Sequence, residues 1–102
     1  MKVIFIPVEG ESKEITPENG KRFTLKELQA LVGGIIQYVT FPDGTDIMVN
    51  DEGKLIDLPV NPRATKLWNE QFPLKEYPGN NDGIIVGNAV HFIDYAHDQD
   101  EE

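Results

Sequence analysis

The residues between Val49 and Thr65 contain the densest group of side chains that could bind a ligand, with acids and amides around Gly53. A calcium loop of the EF-hand type needs oxygen ligands at alternate positions, a central glycine and a distal glutamate. Here the residues with oxygen-bearing side chains, Asn50–Glu52, are consecutive and not at alternate positions. Pro59 occupies the position where the distal glutamate would stand. The pattern favours a tight turn in which Gly53 adopts positive φ, and a specific binding site is the alternative.

The second half of this stretch is typical of a helix start. Asn61 is a good N-cap, and Pro62 suits the first helical position. The N-terminus of a helix offers free N–H groups to an anion, and Arg63 would add charge. If a site exists, we expect it where the turn and this helix N-terminus approach each other. The candidate ligand- or partner-binding residues are Asn50, Asp51, Glu52, Asn61, Arg63 and Thr65.

Few residues of the sequence could form a catalytic, metal or phosphate site. The absence of cysteine excludes disulfides, thiolate metal sites and a cysteine nucleophile. Ser12 is the only serine, and no base lies near it in sequence. Neither Gly33-Gly34 nor Gly87-Asn88 has the spacing of a phosphate-binding loop. We therefore expect no catalytic residues and no cofactor, so that the protein is not an enzyme.

The two histidines, His91 and His97, could form a metal site with Asp94 and Asp98. However, one lies in a predicted strand and the other near the C-terminal end, and no spacing typical of zinc ligands is present. The sequence predicts no metal site.

The first half of the chain predicts a strand, a loop and a helix. Residues Lys2–Val8 are β-branched and aromatic on both faces, which indicates an interior strand. The polar residues 9–23 predict a loop in which 14–16 could be extended. Thr24 and Glu27 form a capping box at the start of an amphipathic helix, and Gly33-Gly34 supplies its left-handed stop.

The second half predicts a hairpin, a helix and a closing strand. Ile35–Phe41 and Asp46–Val49 are strands around a Pro-Asp-Gly turn. A short extended or looped segment leads to the second helix, which presents an apolar face, and residues 70–82 form a loop. Ile84–Asp94 closes the fold, with a two-residue hairpin turn at Gly87-Asn88 favoured over a bulge.

These elements predict an α+β fold, with a small antiparallel-rich sheet of about four to five strands and two short helices packed on one face. Residues 1–93 form a single compact domain, and residues 94–102 form an acidic, disordered tail. No apolar run approaches a membrane span or a signal peptide, so we expect a soluble protein of the bacterial cytoplasm.

The formal net charge is −9. Five of the acids lie in residues 94–102, which leaves 13 acids and 9 bases in the rest of the chain. Direct binding to a nucleic-acid backbone is disfavoured because it needs a basic surface, whereas a partner with a basic groove is permitted. The tail residues expected to contact such a partner are Asp98, Asp100, Glu101 and Glu102.

Several short motifs occur in a characteristic order: L-x-E-L-Q and Gly-Gly in the first helix and its stop, N-D-E-G-K from residue 50, then L-P-x-N, A-T and I-V-G. In this order they resemble a small domain family of unknown function that recurs in bacteriophage and mobile-element proteins. The resemblance covers residues 20–92. It implies a phage or mobile-element setting but no activity.

Three functional hypotheses follow. The leading one is a small phage-type accessory protein that binds and inhibits a host protein, one concerned with defence or with handling nucleic acid. The second is a binder of a small nucleotide-like ligand that would use Asn50, Asp51, Asn61 and Arg63. The third is a homo-oligomeric regulatory module that associates through an exposed sheet edge.

Overall fold

The computed structural model describes residues 2–77 and 82–93. It contains five strands and two α-helices in these residues. In chain order they are β1 (Val3–Ile6), β2 (Lys13–Ile15), α1 (Leu25–Val32), β3 (Ile36–Thr40), β4 (Asp46–Asn50), α2 (Pro62–Gln71) and β5 (Ala89–Phe92). Neither helix is long and apolar enough to cross a membrane, as far as the described residues go.

The five strands form one sheet in the order β2-β1-β5-β4-β3, and every neighbouring pair is antiparallel. The predicted α+β class and antiparallel sheet are therefore confirmed. The C-terminal strand β5 lies at the centre, between β1 and β4, with Ala89 opposite Ile6 and Val90 opposite Met48.

The two helices cover opposite faces of the sheet. Ile47 and Val49 of β4 pack in one core cluster with Trp68 of α2. Met48, which points the other way, packs with Val32 of α1. The expectation that both helices lie on one face is wrong because the central strands are apolar on both sides, so each face needs its own cover.

The first helix has the predicted ends. The Thr24 hydroxyl accepts a hydrogen bond from the Glu27 N–H at 3.1 Å, and the Glu27 carboxylate accepts from the Thr24 N–H at 2.9 Å. Hydrogen bonds from the backbone of Thr24 and then of Glu18 lower the pKa of Glu27. Gly33 ends the helix with φ of 83°, which only glycine adopts at little cost.

The closing segment differs from the expected hairpin. Residues 84–88 do not form a strand of the sheet, and Val86 instead makes an isolated antiparallel bridge with Val60. Gly87 does adopt positive φ, at 77°, but it leads this segment into β5. The predicted turn at Gly87-Asn88 is wrong because the chain before it pairs with the segment that enters α2.

Candidate functional site

Three of the sequence motifs, N-D-E-G-K, L-P-x-N and A-T, lie between residues 50 and 65 and meet the distant I-V-G motif, residues 85–87, at one end of the sheet. The Asn61 N–H donates to the Ile85 carbonyl and the Gly87 N–H donates to the Pro59 carbonyl, both at 2.8 Å. These bonds pair residues 59–61 with residues 85–87. The N-terminus of α2 is therefore joined to this segment, and Gly53 of the turn after β4 lies close to Val86 of the same segment.

Asn61 is fully buried and joins three parts of the fold. Its side-chain oxygen accepts from the Ala64 N–H at 3.0 Å, which is the N-cap bond of α2. Its amide nitrogen donates to the Ile6 carbonyl at 2.8 Å and to the Gly87 carbonyl at 2.9 Å. The side chain thus fixes the start of α2 to the end of β1 and to the closing segment.

Thr65 lies one turn into α2 and holds the same segment. Its hydroxyl donates to the Ile85 carbonyl at 3.2 Å and accepts from the Ile85 N–H at 2.9 Å. Both hydrogen-bonding capacities of the hydroxyl are used within the chain. This contact gives a physical reason for the Ala-Thr pair, since Ala64 is fully buried beside it.

Asn50 connects the end of β4 to the end of α1. Its amide nitrogen donates to the Val32 carbonyl at 3.1 Å, and its oxygen accepts from the Glu52 N–H at 2.7 Å. We call Asn50, Asn61 and Thr65 the brace. Each side-chain polar atom of these three residues forms a hydrogen bond within the chain.

The turn after β4 is compact but differs in detail from the prediction. Gly53 is not among the glycines with positive φ. It is required instead by close packing, because an added Cβ would lie 2.7 Å from Cγ2 of Val86. The left-handed residue of this loop is Asp57, with φ of 56°.

The remaining candidate residues, Asp51, Glu52 and Arg63, are exposed. A guanidinium nitrogen of Arg63 donates to the Gly10 carbonyl, which fastens the loop after β1 to the first turn of α2. The structure brings the six predicted residues to one end of the sheet and divides them into three buried or half-buried polar anchors and three exposed charges.

Exposed apolar side chains lie in the turn after β4 and on or beside the paired segments 59–61 and 85–87, and sequence reasoning missed them. The exposed fractions are 82% for Leu55, 54% for Ile56, 52% for Val60 and 43% for Ile84. We call these four residues the apolar surface. Two adjacent aliphatic residues inside a loop of acids are the pattern that could have indicated it, since a loop has no core to bury them.

The charges around the apolar surface are mainly negative. Asp51, Glu52 and Asp57 are exposed in the same loop. Lys54, the only base in residues 50–60, forms an ion pair with Asp82. The hydrogen bond from Lys54 is the main cause that lowers the pKa of Asp82.

An open groove of about 460 Å³ adjoins this end of the sheet. It lies between the ends of β1 and α1, and it is lined on the other side by Leu58-Pro59 and Gly87-Asn88. The Val8 N–H donates to the Asn88 side-chain oxygen at 2.9 Å, which joins two of its lining residues. Among the described residues that line the groove, Glu9 alone is charged.

His91 lies away from this region, in the middle of β5. The Thr45 hydroxyl donates to the Asp43 carboxylate at 2.6 Å, so His91 Nε2, at 2.8 Å from the same hydroxyl, is the donor to it. Burial lowers the pKa of His91, and the nearby carboxylates of Asp43 and Asp46 oppose that shift. Within residues 2–77 and 82–93, no group of three His, Cys, Asp or Glu side chains could hold a metal ion.

The predicted tail contacts, Asp98, Asp100, Glu101 and Glu102, and the possible metal ligands Asp94, His97 and Asp98 lie outside the described residues. The tail's role stays a prediction.

The comparisons with known proteins identify a family but no activity. The chain belongs to a family of domains of unknown function, DUF3846, whose model matches residues 1–101. No curated protein and no solved structure matches the chain. The family membership supports the resemblance in its coarser form, as a domain of unknown function.

Proposed function

We propose that the protein is a small binding module that attaches to a basic site on another protein and blocks it. The observation that supports this proposal is the apolar surface, where Leu55 is 82% exposed and three further aliphatic side chains are about half exposed. Fully burying an exposed aliphatic side chain contributes about 1.5–3 kcal/mol. The three side chains that are already about half buried gain correspondingly less, and the cost of association reduces the sum further.

Charge favours a basic partner over a neutral or acidic one. The acids in the loop that carries Leu55 and Ile56 outnumber Lys54, whose charge is offset by Asp82. A negative rim accelerates the encounter with a positive surface and disfavours a negative one. The same charge disfavours binding to a nucleic acid itself.

A small nucleotide-like ligand is less well supported. Asn50, Asn61 and Thr65 would have to give up bonds within the chain in order to bind it. Breaking a buried bond without replacing it costs about 1–3 kcal/mol per group. Of the six candidate residues, Asp51, Glu52 and Arg63 are exposed. The two carboxylates, Asp51 and Glu52, would repel a phosphate.

The phage or mobile-element setting comes from the order of the sequence motifs and is part of the proposal. In that setting the blocked partner is a host protein of defence or nucleic-acid handling, since such proteins carry basic grooves. The inhibitor then acts by covering the groove.

The test is capture from a bacterial host lysate, followed by affinity measurement with the purified partner. The full chain is compared with a double variant, Leu55→Ser and Ile56→Ser, and with a chain ending at Asp94. Leu74→Ser is the matched control, because Leu74 is 79% exposed but lies in the loop after α2.

We expect a basic protein that binds the full chain and the control equally. The double variant should bind it at least about tenfold more weakly, since about 1.4 kcal/mol corresponds to tenfold. Added salt should weaken binding further. A partner held equally by the double variant, or lost only with the tail, would contradict the proposed surface.

A further inference from the structure

The two edges of the sheet differ in how they are protected. One edge is β2, which has only three residues, including Lys13 and Glu14. The other is β3, which has five residues, IQYVT, without a charge or a proline. Short length and charged side chains discourage the pairing of an edge with another strand. By these criteria, and as far as residues 2–77 and 82–93 go, β2 is protected and β3 is not.

Two hydrogen bonds at the ends of β3 show which of its residues direct their backbone groups toward β4. The Asp51 N–H donates to the Ile35 carbonyl and the Phe41 N–H donates to the Thr45 carbonyl, both at 2.7 Å. Residues with odd numbers on β3 therefore direct their backbone groups toward β4. Those of Ile36 and Thr40 are directed away from the sheet, along its edge.

We propose that β3 pairs with β3 of a second copy of this chain, antiparallel and about a two-fold axis at position 38. In this register Ile36 lies opposite Thr40 of the partner subunit, and the reverse pair is identical by symmetry. Each pair exchanges two backbone hydrogen bonds, and the two five-stranded sheets become one continuous sheet. An isologous contact of this kind closes at two copies.

The side chains are compatible with this pairing. Gln37 is exposed and would lie opposite Val39 of the partner subunit, so no charge meets another charge although each chain carries −9. Ile35, which is 53% exposed, would lie opposite Phe41 of the partner subunit and would be shielded. An uncharged, self-complementary edge in an otherwise acidic chain is the feature that points to a second copy over an unrelated strand.

The test uses Gln37, because symmetry places it diagonally across the axis from Gln37 of the partner subunit, within reach of long side chains. Sedimentation of the full chain at tens of micromolar should give twice the monomer mass of 11.5 kDa. Gln37→Lys and Gln37→Glu should each weaken dimerisation at least tenfold, since like charges repel. An equimolar mixture should recover the dimer, and Ala30→Lys, on the exposed side of α1, should leave it unchanged.

Hydrogen exchange provides a second readout that does not depend on a variant. In the dimer, the amides of Ile36 and Thr40 should be protected and should lose that protection on dilution, whereas those of Gln37 and Val39 should stay protected throughout. A monomer at all concentrations, a dimer that Gln37→Lys leaves intact, or an unchanged exchange at Ile36 and Thr40 would overturn the proposal. The apolar surface is elsewhere, so failure here would leave the proposed function standing.

Discussion

Replacing Asn61 by alanine tests the role of the brace most severely. The change removes the N-cap acceptor of α2, which is worth about 1 kcal/mol. It also removes the donors to the Ile6 and Gly87 carbonyls, and a buried group left without its partner costs about 1–3 kcal/mol. We therefore expect Asn61→Ala to lower the free energy of unfolding by about 3–7 kcal/mol, a large part of the about 5–15 kcal/mol typical of a domain.

Asn61→Asp separates the cap from the two amide donors. The aspartate keeps the cap oxygen but presents a carboxylate to two carbonyl oxygens, so we expect a loss at least as large at neutral pH. Protonation in acid restores one donor, and the deficit relative to the unmodified chain should shrink as the pH falls.

Urea unfolding followed by Trp68 fluorescence measures both variants, with Lys66→Ala as the control on α2. Because Lys66 is exposed, we expect the control to change the free energy of unfolding by less than about 0.5 kcal/mol. A loss of less than about 1 kcal/mol for Asn61→Ala would refute the reasoning, since the buried bonds would then contribute almost nothing. So would an Asn61→Asp variant as stable as the unmodified chain at pH 7.

Three further predictions concern other parts of the fold. Gly53→Ala should cost about 1–3 kcal/mol through overpacking against Val86, and a double-mutant cycle with Val86→Ala should recover part of that loss. Thr24→Ala should cost about 1 kcal/mol of unfolding free energy in urea, because it removes the cap of α1. Burial lowers the pKa of His91 in the folded chain. The unfolded chain therefore binds more protons, and the free energy of unfolding should fall as the pH drops below about 6.5. A His91 imidazole that titrates at or above its ordinary pKa, measured by nuclear magnetic resonance, would contradict this.

Local chemistry made much of the fold predictable. The capping box at Thr24, the Asn61-Pro62 start of α2 and the turn before Thr45 each depend on hydrogen bonds between residues close in sequence. Such bonds form wherever the local sequence permits them. Ile47 and Val49 lie in one core cluster and Met48 in the other, because successive side chains of a strand point to opposite faces.

The parts that sequence reasoning missed depend on contacts between distant residues. Whether two helices share a face is decided by which strands become neighbours, and β5 enters the sheet between β1 and β4. Gly87 resembles a hairpin turn locally, but the pairing of Val60 with Val86 decides its role. Gly53 likewise is needed for the approach of a residue more than thirty positions away.

The surroundings of the candidate residues could be predicted only in part. Hydrogen bonds of Asn61 with Gly87 and of Thr65 with Ile85 fix the start of the second helix to a segment at least twenty positions away in the chain, which local sequence does not reveal. Three-dimensional packing decides that the side chains of Asn50, Asn61 and Thr65 form hydrogen bonds within the chain. It also decides that Leu55 stays exposed.

Mapping amide chemical shifts while a basic partner protein is added tests the central claim most directly. If the brace maintains the fold and the apolar surface binds, the perturbed amides should cluster in residues 54–60 and 82–87. The amides of α1 and β2 should be unaffected. Perturbations confined to the C-terminal residues, or centred on α1 and β2, would contradict the account.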